Sequence, residues 1–181
     1  SGLLLGCIAL LPLHRSIAEP RAAAEISGDA APSDQDLVLG QSLPLSGPSA
    51  QLGLDYRRGA MAWFDAVNRQ GGIHGRRIRL VSLDDQYEPD QTLRNTQQLL
   101  QRQNLLALFG YVGTPTTKEA LPLVEQASVP LVAPMTGASL LRRQELRMVF
   151  NLRSSYRLEI EAMVDAARRR AFDDGAVEIE D

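Results

Sequence analysis

The chain has 181 residues, 44% apolar and 23% charged, with a net charge of −3. That is enough for one full domain and too little for two of ordinary size, in a composition ordinary for a globular protein. The charge balance leaves no cationic excess to neutralise phosphates, and apart from Arg168, Arg169 and Arg170 the arginines are scattered, which argues against a nucleic-acid surface.

Residues 2–13 form an apolar run of signal-core length, too short to cross a bilayer as a helix. Beyond it, Ser16-Ile17-Ala18 and Ala22-Ala23-Ala24 both fit a signal-peptidase site. Ser1 opens the chain, so the basic segment that precedes such a core is expected upstream. Residues 1–24 are read as a truncated secretory signal. Cys7 is the single cysteine, which rules out an internal disulfide. It closes Leu4-Leu5-Gly6-Cys7, a lipobox-like string that would anchor a lipoprotein. The apolar run continues to Leu13, where a lipobox should end it, so Cys7 is read as one more small apolar residue. Residues 22–36 are rich in Ala, Ser, Asp and Pro without periodicity, and 25–36 are assigned as a flexible leader.

Residues 37–43 read as a short apolar strand closed by Pro44-Leu45-Ser46-Gly47-Pro48. Over 52–69, Ala60, Trp63, Phe64 and Val67 fall at helical spacing, and Gly71-Gly72 ends that helix. Residues 78–83 form the next strand, ended by Asp84-Asp85. Pro89 opens a polar helix with Leu93, Thr96, Leu99 and Leu100 on one face. Strand 105–109 stops at Gly110, and a helix then opens with Thr114-Pro115-Thr116-Thr117. Thr114 is the expected N-cap and Pro115 the first helical residue, while Pro122 should kink or restart the helix. Residues 129–133 and 148–152 are further strands, with a loop and one helical turn between them, and 155–170 are a helix.

Strands alternating with helices, most strands apolar throughout, predict a doubly wound parallel α/β sheet. Ligands bind such sheets beyond the carboxyl ends of the strands, here the loops at 44–53, 84–89, 111–117, 135–138 and 153–156. The helix opening at Thr114 offers unpaired N–H groups and a positive dipole end. With no basic side chain in the loop, it suits one carboxylate.

LPLSGPSAQLG, NRQGGIHGRRIRLVSLDDQYEP, FGYVGTPTT and VPLVAPMTGA, in this order, resemble the branched-chain amino-acid binding proteins of bacterial ABC importers, of the type I periplasmic binding proteins. The resemblance covers about 37–164. It implies two similar α/β lobes around a ligand cleft, of which 37–153 would be the first. Residues 154–181 would hold the crossover helix and a truncated start of the second, which is expected to be missing. It also implies a periplasmic solute-binding protein, with a small-molecule ligand, a membrane permease as partner, and no cofactor or catalysis.

Transferred by motif, the resemblance points to Thr114 and its neighbours and to Thr136 and Gly137 as holders of an amino acid's carboxylate and amino group. Each has a plainer reading. Thr114 could serve only as a cap, Thr116 could form a capping box with Glu119, and Thr136-Gly137 could be a turn that wants glycine. Tyr111 could wall the pocket or be structural, and Ser46 could line the cleft mouth or serve its turn. Asp84 and Asp85 are adjacent in an extended segment and point opposite ways, so a loop brace is preferred to a shared metal. His14 and His74 have no second ligand at zinc spacing. No nucleophile elbow, P-loop or dinucleotide fingerprint is present. Two other classes remain in view, a ligand-sensing receptor lobe and a small flavodoxin-like enzyme. A further expectation is an exposed apolar surface over 156–164.

Overall fold

A computed structural model describes residues 25–27 and 35–173. The expected signal segment, residues 28–34 of the leader and residues 174–181 lie outside the described residues. Six strands make one sheet: β1 (Glu25–Ser27), β2 (Leu37–Leu43), β3 (Ile78–Asp84), β4 (Leu105–Phe109), β5 (Leu131–Val132) and β6 (Val149–Phe150). Their order is β1-β3-β2-β4-β5-β6. The strands β2 to β6 run parallel, and β1 lies antiparallel against the outer edge of β3. Residues 25–27 of the expected leader are thus an edge strand. Backbone pairing needs no apolar alternation, which is why composition did not reveal it.

The crossover helix α1 (Ala50–Arg69) covers one face, and α2 (Pro89–Leu100) and α3 (Thr114–Ala127) cover the other. Alternation along β2 and β3 sorts the two faces. Val38, Val81, Leu83 and Leu108 meet Leu99, Leu121 and Val124 of α2 and α3 in the main buried cluster. The α1 face is more polar. Arg57 donates to the Ser82 hydroxyl (3.2 Å), Ser82 to Gln41 Oε1 (3.0 Å), and Gln41 Nε2 to the Gly110 carbonyl (3.3 Å). Tyr56 and Phe64 of α1 pack on Phe109.

Two expected strands are shorter than their apolar runs. Pro130 has no N–H for a ladder, and Ala133 turns to φ +55 immediately after β5, so only Leu131 and Val132 pair. Pro122 does not break α3; it lies on the solvent side of a helix that runs on to Ala127. A 3₁₀ turn (Ser139–Arg142) buries Leu141 between β5 and β6, and α4 (Tyr156–Asp173) follows.

Candidate ligand-binding site

The chain leaves β2 towards β3 on one side and returns to β4 on the other, so the sheet reverses its order between β2 and β4. Beyond the carboxyl ends of these strands the following loops splay apart, leaving a crevice. Three segments border it: the loop after β2, the turn from β4 into α3, and the loop after β5.

At the start of α3 the N-cap is Gly113, at φ +101, rather than Thr114. A Cβ at Gly113 would stand 2.5 Å from the Tyr87 ring, so the ring lies directly over this backbone. Only glycine accommodates both that φ and that approach. Thr114 is therefore the first helical residue and Pro115 the second. With Pro115 lacking a donor, Thr114 and Thr116 supply the unpaired N–H groups of the first turn. The Thr114 hydroxyl does not cap the helix. It lies 2.6 Å from Thr136 Oγ1, across from the loop after β5. Thr136 is buried, accepts the Ala138 N–H (3.2 Å), and lies 3.4 Å from the Tyr156 hydroxyl at the start of α4.

Three loops thus bring three hydroxyls together. Tyr156 is fixed by its N–H to the Gly137 carbonyl (2.9 Å), by its ring lying over Gly137, and by the Arg153 guanidinium 5.2 Å from the ring centroid. The hydrogen bond with Thr136 is the main reason its phenol lies below the usual tyrosine range; burial opposes it, and further hydrogen bonds from Gly137 and Thr114 with the Arg153 charge add to the lowering.

Tyr111 does not wall the crevice. It is fully buried, its hydroxyl 3.0 Å from Thr96 Oγ1, and burial pushes its phenol well up. Its place at the strand tip is as expected, but the ring falls on the α2–α3 side of the sheet. Thr116 forms no capping box with Glu119. Its hydroxyl donates to the Val112 (2.6 Å) and Gly113 (3.1 Å) carbonyls, and Thr117 likewise to Gly113 (2.6 Å). Ser46 stays exposed in its loop and gives its hydroxyl to Asp84. Gly137 is buried beneath Tyr156. Of the sequence candidates, Thr114, Thr136 and Gly137 are brought together; Tyr111 and Thr116 are turned away; Ser46 lies in the loop after β2. Tyr156 was not singled out as a ligand residue. A tyrosine inside one of the five strand-end loops was the available signal.

The adjacent carboxylates brace these loops. Asp84 accepts the backbone N–H groups of Leu45 (2.7 Å), Ser46 (3.2 Å) and Gln86 (3.0 Å). Burial pushes its carboxyl up, but these bonds and the Ser46 hydroxyl together outweigh it and hold it below the ordinary range. Asp85, on the other side of the backbone, accepts from Ser42 (2.9 Å), Thr92 (3.1 Å) and the Tyr87 N–H (2.9 Å). It is buried, and desolvation dominates over those bonds to push its carboxyl up. The two bonds to Gln86 and Tyr87 hold both residues at positive φ (+54 and +67), and so place the Tyr87 ring over Gly113.

The sequence profile of the Periplasmic binding protein family matches residues 37–175. The chain belongs to this family. A relative named amino acid binding protein, from Pseudomonas aeruginosa, is 31% identical over 99 residues, covering 55% of the present chain and 26% of the relative. A solved structure of a possible leucine/isoleucine/valine-binding protein from Rhodopirellula baltica SH 1 is 40% identical with a TM-score of 0.69, covering 78% of this chain and 38% of that one. A substrate-binding periplasmic protein from Ralstonia solanacearum is also 40% identical, with a TM-score of 0.67 and coverages of 72% and 37%. This periplasmic binding protein chain therefore spans 26% to 38% of the length of these relatives. The α/β sheet and the order of the recognised motifs agree with a type I binding-protein lobe of the leucine/isoleucine/valine-binding kind. The family binds solutes and is not a family of enzymes.

Proposed function

We propose that this chain is the ligand-binding lobe of an extracytoplasmic solute-binding protein that delivers an amino acid, or a related small amide or carboxylate, to a membrane permease of an ABC importer. The observation that carries this reading is the Thr114–Thr136 hydroxyl pair (2.6 Å) at the opening of α3. There, neutral hydroxyl donors, free backbone N–H groups and the positive end of a helix dipole converge, a setting suited to one carboxylate and poor for a cation. The relatives named as amino-acid and leucine/isoleucine/valine-binding proteins support the ligand class. In the assembled protein the ligand would lie between this lobe and a second one, with residues 1–24 directing export.

Calorimetric titration of the assembled two-lobe protein with the twenty protein amino acids tests the reading. Saturable heat with at least one of them is the expected result. No binding to any member of the panel would overturn it. Export is tested separately, by N-terminal sequencing of periplasmic material, which should begin beyond residue 24.

A further inference from the structure

Residues 151–155, between β6 and α4, belong to no strand or helix, so their backbone groups need partners from elsewhere. Arg142, the last residue of the 3₁₀ turn Ser139–Arg142, supplies two of them. Its Nη2 donates to the carbonyls of Arg153 (2.6 Å) and Ser154 (3.0 Å), and its Nη1 to the Ala138 carbonyl (3.0 Å). One guanidinium thus bridges the loop after β5 to the segment that leads into α4. A planar fork of charged donors suits that task, because it holds acceptors on two sides at fixed angles. Asn151 adds a second stitch between the same segments, its Nδ2 donating to the Leu141 carbonyl (2.9 Å).

A second arginine continues the bridge. The Arg153 carbonyl is held by Arg142, while the Arg153 side chain grips the first turn of α4 through both Glu159 oxygens (2.9 Å each) and lies over the Tyr156 ring. The Arg153 bond holds the Glu159 carboxyl below its ordinary range against opposing burial, and the charges of Arg153 and Arg142 add to it. Through residue 170 no α4 side chain is buried, so the place of Tyr156 depends on contacts at and before the first turn.

Resting on the solute-binding reading above, we propose that Arg142 is a positioning residue of the binding site: it pins residues 153–154 to the loop after β5 and so sets where Tyr156 and the start of α4 stand at the crevice. All three acceptors are backbone carbonyls, so the pin fixes the path of the main chain rather than one side chain. Arg142 is only half-buried, and its neighbour Leu141 is the residue of this turn that enters the core. Losing the guanidinium should therefore leave the sheet intact while freeing the segment that leads into α4.

Amide hydrogen exchange by NMR on the whole chain tests the pin without any ligand, comparing wild type with Arg142→Ala and Arg142→Lys. The reporter is the Tyr156 N–H, bonded to the Gly137 carbonyl (2.9 Å). Arg142→Ala should speed its exchange by about tenfold through the loss of charge-assisted bonds, while the amides of β2 and β4 stay within about twofold. Arg142→Lys keeps the charge without the fork and should exchange at nearly the alanine rate. Unchanged exchange at Tyr156, full rescue by lysine, or an equal acceleration in β2 and β4 overturns the pin. In the assembled two-lobe protein, Arg142→Ala should bind the amino acid selected by the panel about tenfold more weakly, with its thermal midpoint kept. Unchanged affinity there overturns the positioning role. An assembled wild type that binds no amino acid overturns the function and the positioning role together, while the exchange rates decide the pin separately.

Discussion

Helices α3 and α4 both deliver a hydroxyl to the same site, yet they are held in opposite ways. The α3 helix sinks Thr116, Thr117, Ala120, Leu121 and Val124 into the domain. The α4 helix exposes Leu158, Ile160, Met163 and Val164, and through residue 170 none of its side chains is buried. Its first turn is tied to the domain through the Tyr156 N–H on the Gly137 carbonyl and the Tyr156 hydroxyl beside Thr136. Through residue 170, one helix is therefore part of the core, and the other lies on the surface. The exposed apolar surface expected over 156–164 is present, an exposed patch of the kind that marks an interaction surface.

The sharpest way to break this comparison is to truncate one apolar side chain on each helix. Leu121→Ala should destabilise the chain by about 2–5 kcal/mol, as a buried leucine does when it leaves a cavity. Met163→Ala, at a residue 70% exposed, should change stability by less than about 0.5 kcal/mol. Urea denaturation of the two variants checks this. Comparable losses would mean that α4 is packed in solution and the contrast is wrong.

The next effect concerns the hydroxyls of the two helices. Thr114→Val should weaken binding of the selected amino acid by roughly 1.5–3 kcal/mol, one to two orders of magnitude, because a charge-assisted bond is lost. Since Thr114 does not cap α3, the variant's stability should stay near wild type, and Thr114→Ser should bind almost normally. Calorimetry with thermal melts on the same samples decides between ligand loss and helix damage.

Tyr111→Phe gives a smaller effect in the opposite pattern. Removing the bond to Thr96 should cost about 1 kcal/mol of stability and leave ligand affinity unchanged. An affinity change without a stability change would return Tyr111 to the crevice.

Smallest are the pH effects of the two loop carboxylates, which differ in sign. Asp84, lowered in the fold, gives stability that is present above its ordinary value near pH 4 and is lost as pH falls through the lower folded value. Asp85 is raised, so its fold favours the protonated form. Its contribution is full below the ordinary value and is lost as pH rises through the raised one. Asp84→Asn should therefore cost more at pH 7 than at pH 3, and Asp85→Asn more at pH 3 than at pH 7. Urea midpoints at the two pH values measure both.

The sequence by itself determined the order of elements from β2 onward, the parallel doubly wound sheet and the family, but not the edge strand β1. It also placed β2 and β4 to the residue, because apolar runs and the breakers that end them are local signals. Gly71 and Gly72 closing α1, and Asp84 with Asp85 bracing their loops on opposite sides, were legible for the same reason. Only the tertiary structure decided which hydroxyls come together beyond the strand ends. Tyr111 turns to Thr96, 15 positions away, Thr114 meets Thr136 across 22, and Thr136 reaches Tyr156 across 20. The cap at α3 likewise belongs to Gly113 rather than Thr114 because a ring from another loop, Tyr87, lies over it. Such pairings depend on where separate loops converge in space, and periodicity along the chain carries no record of that.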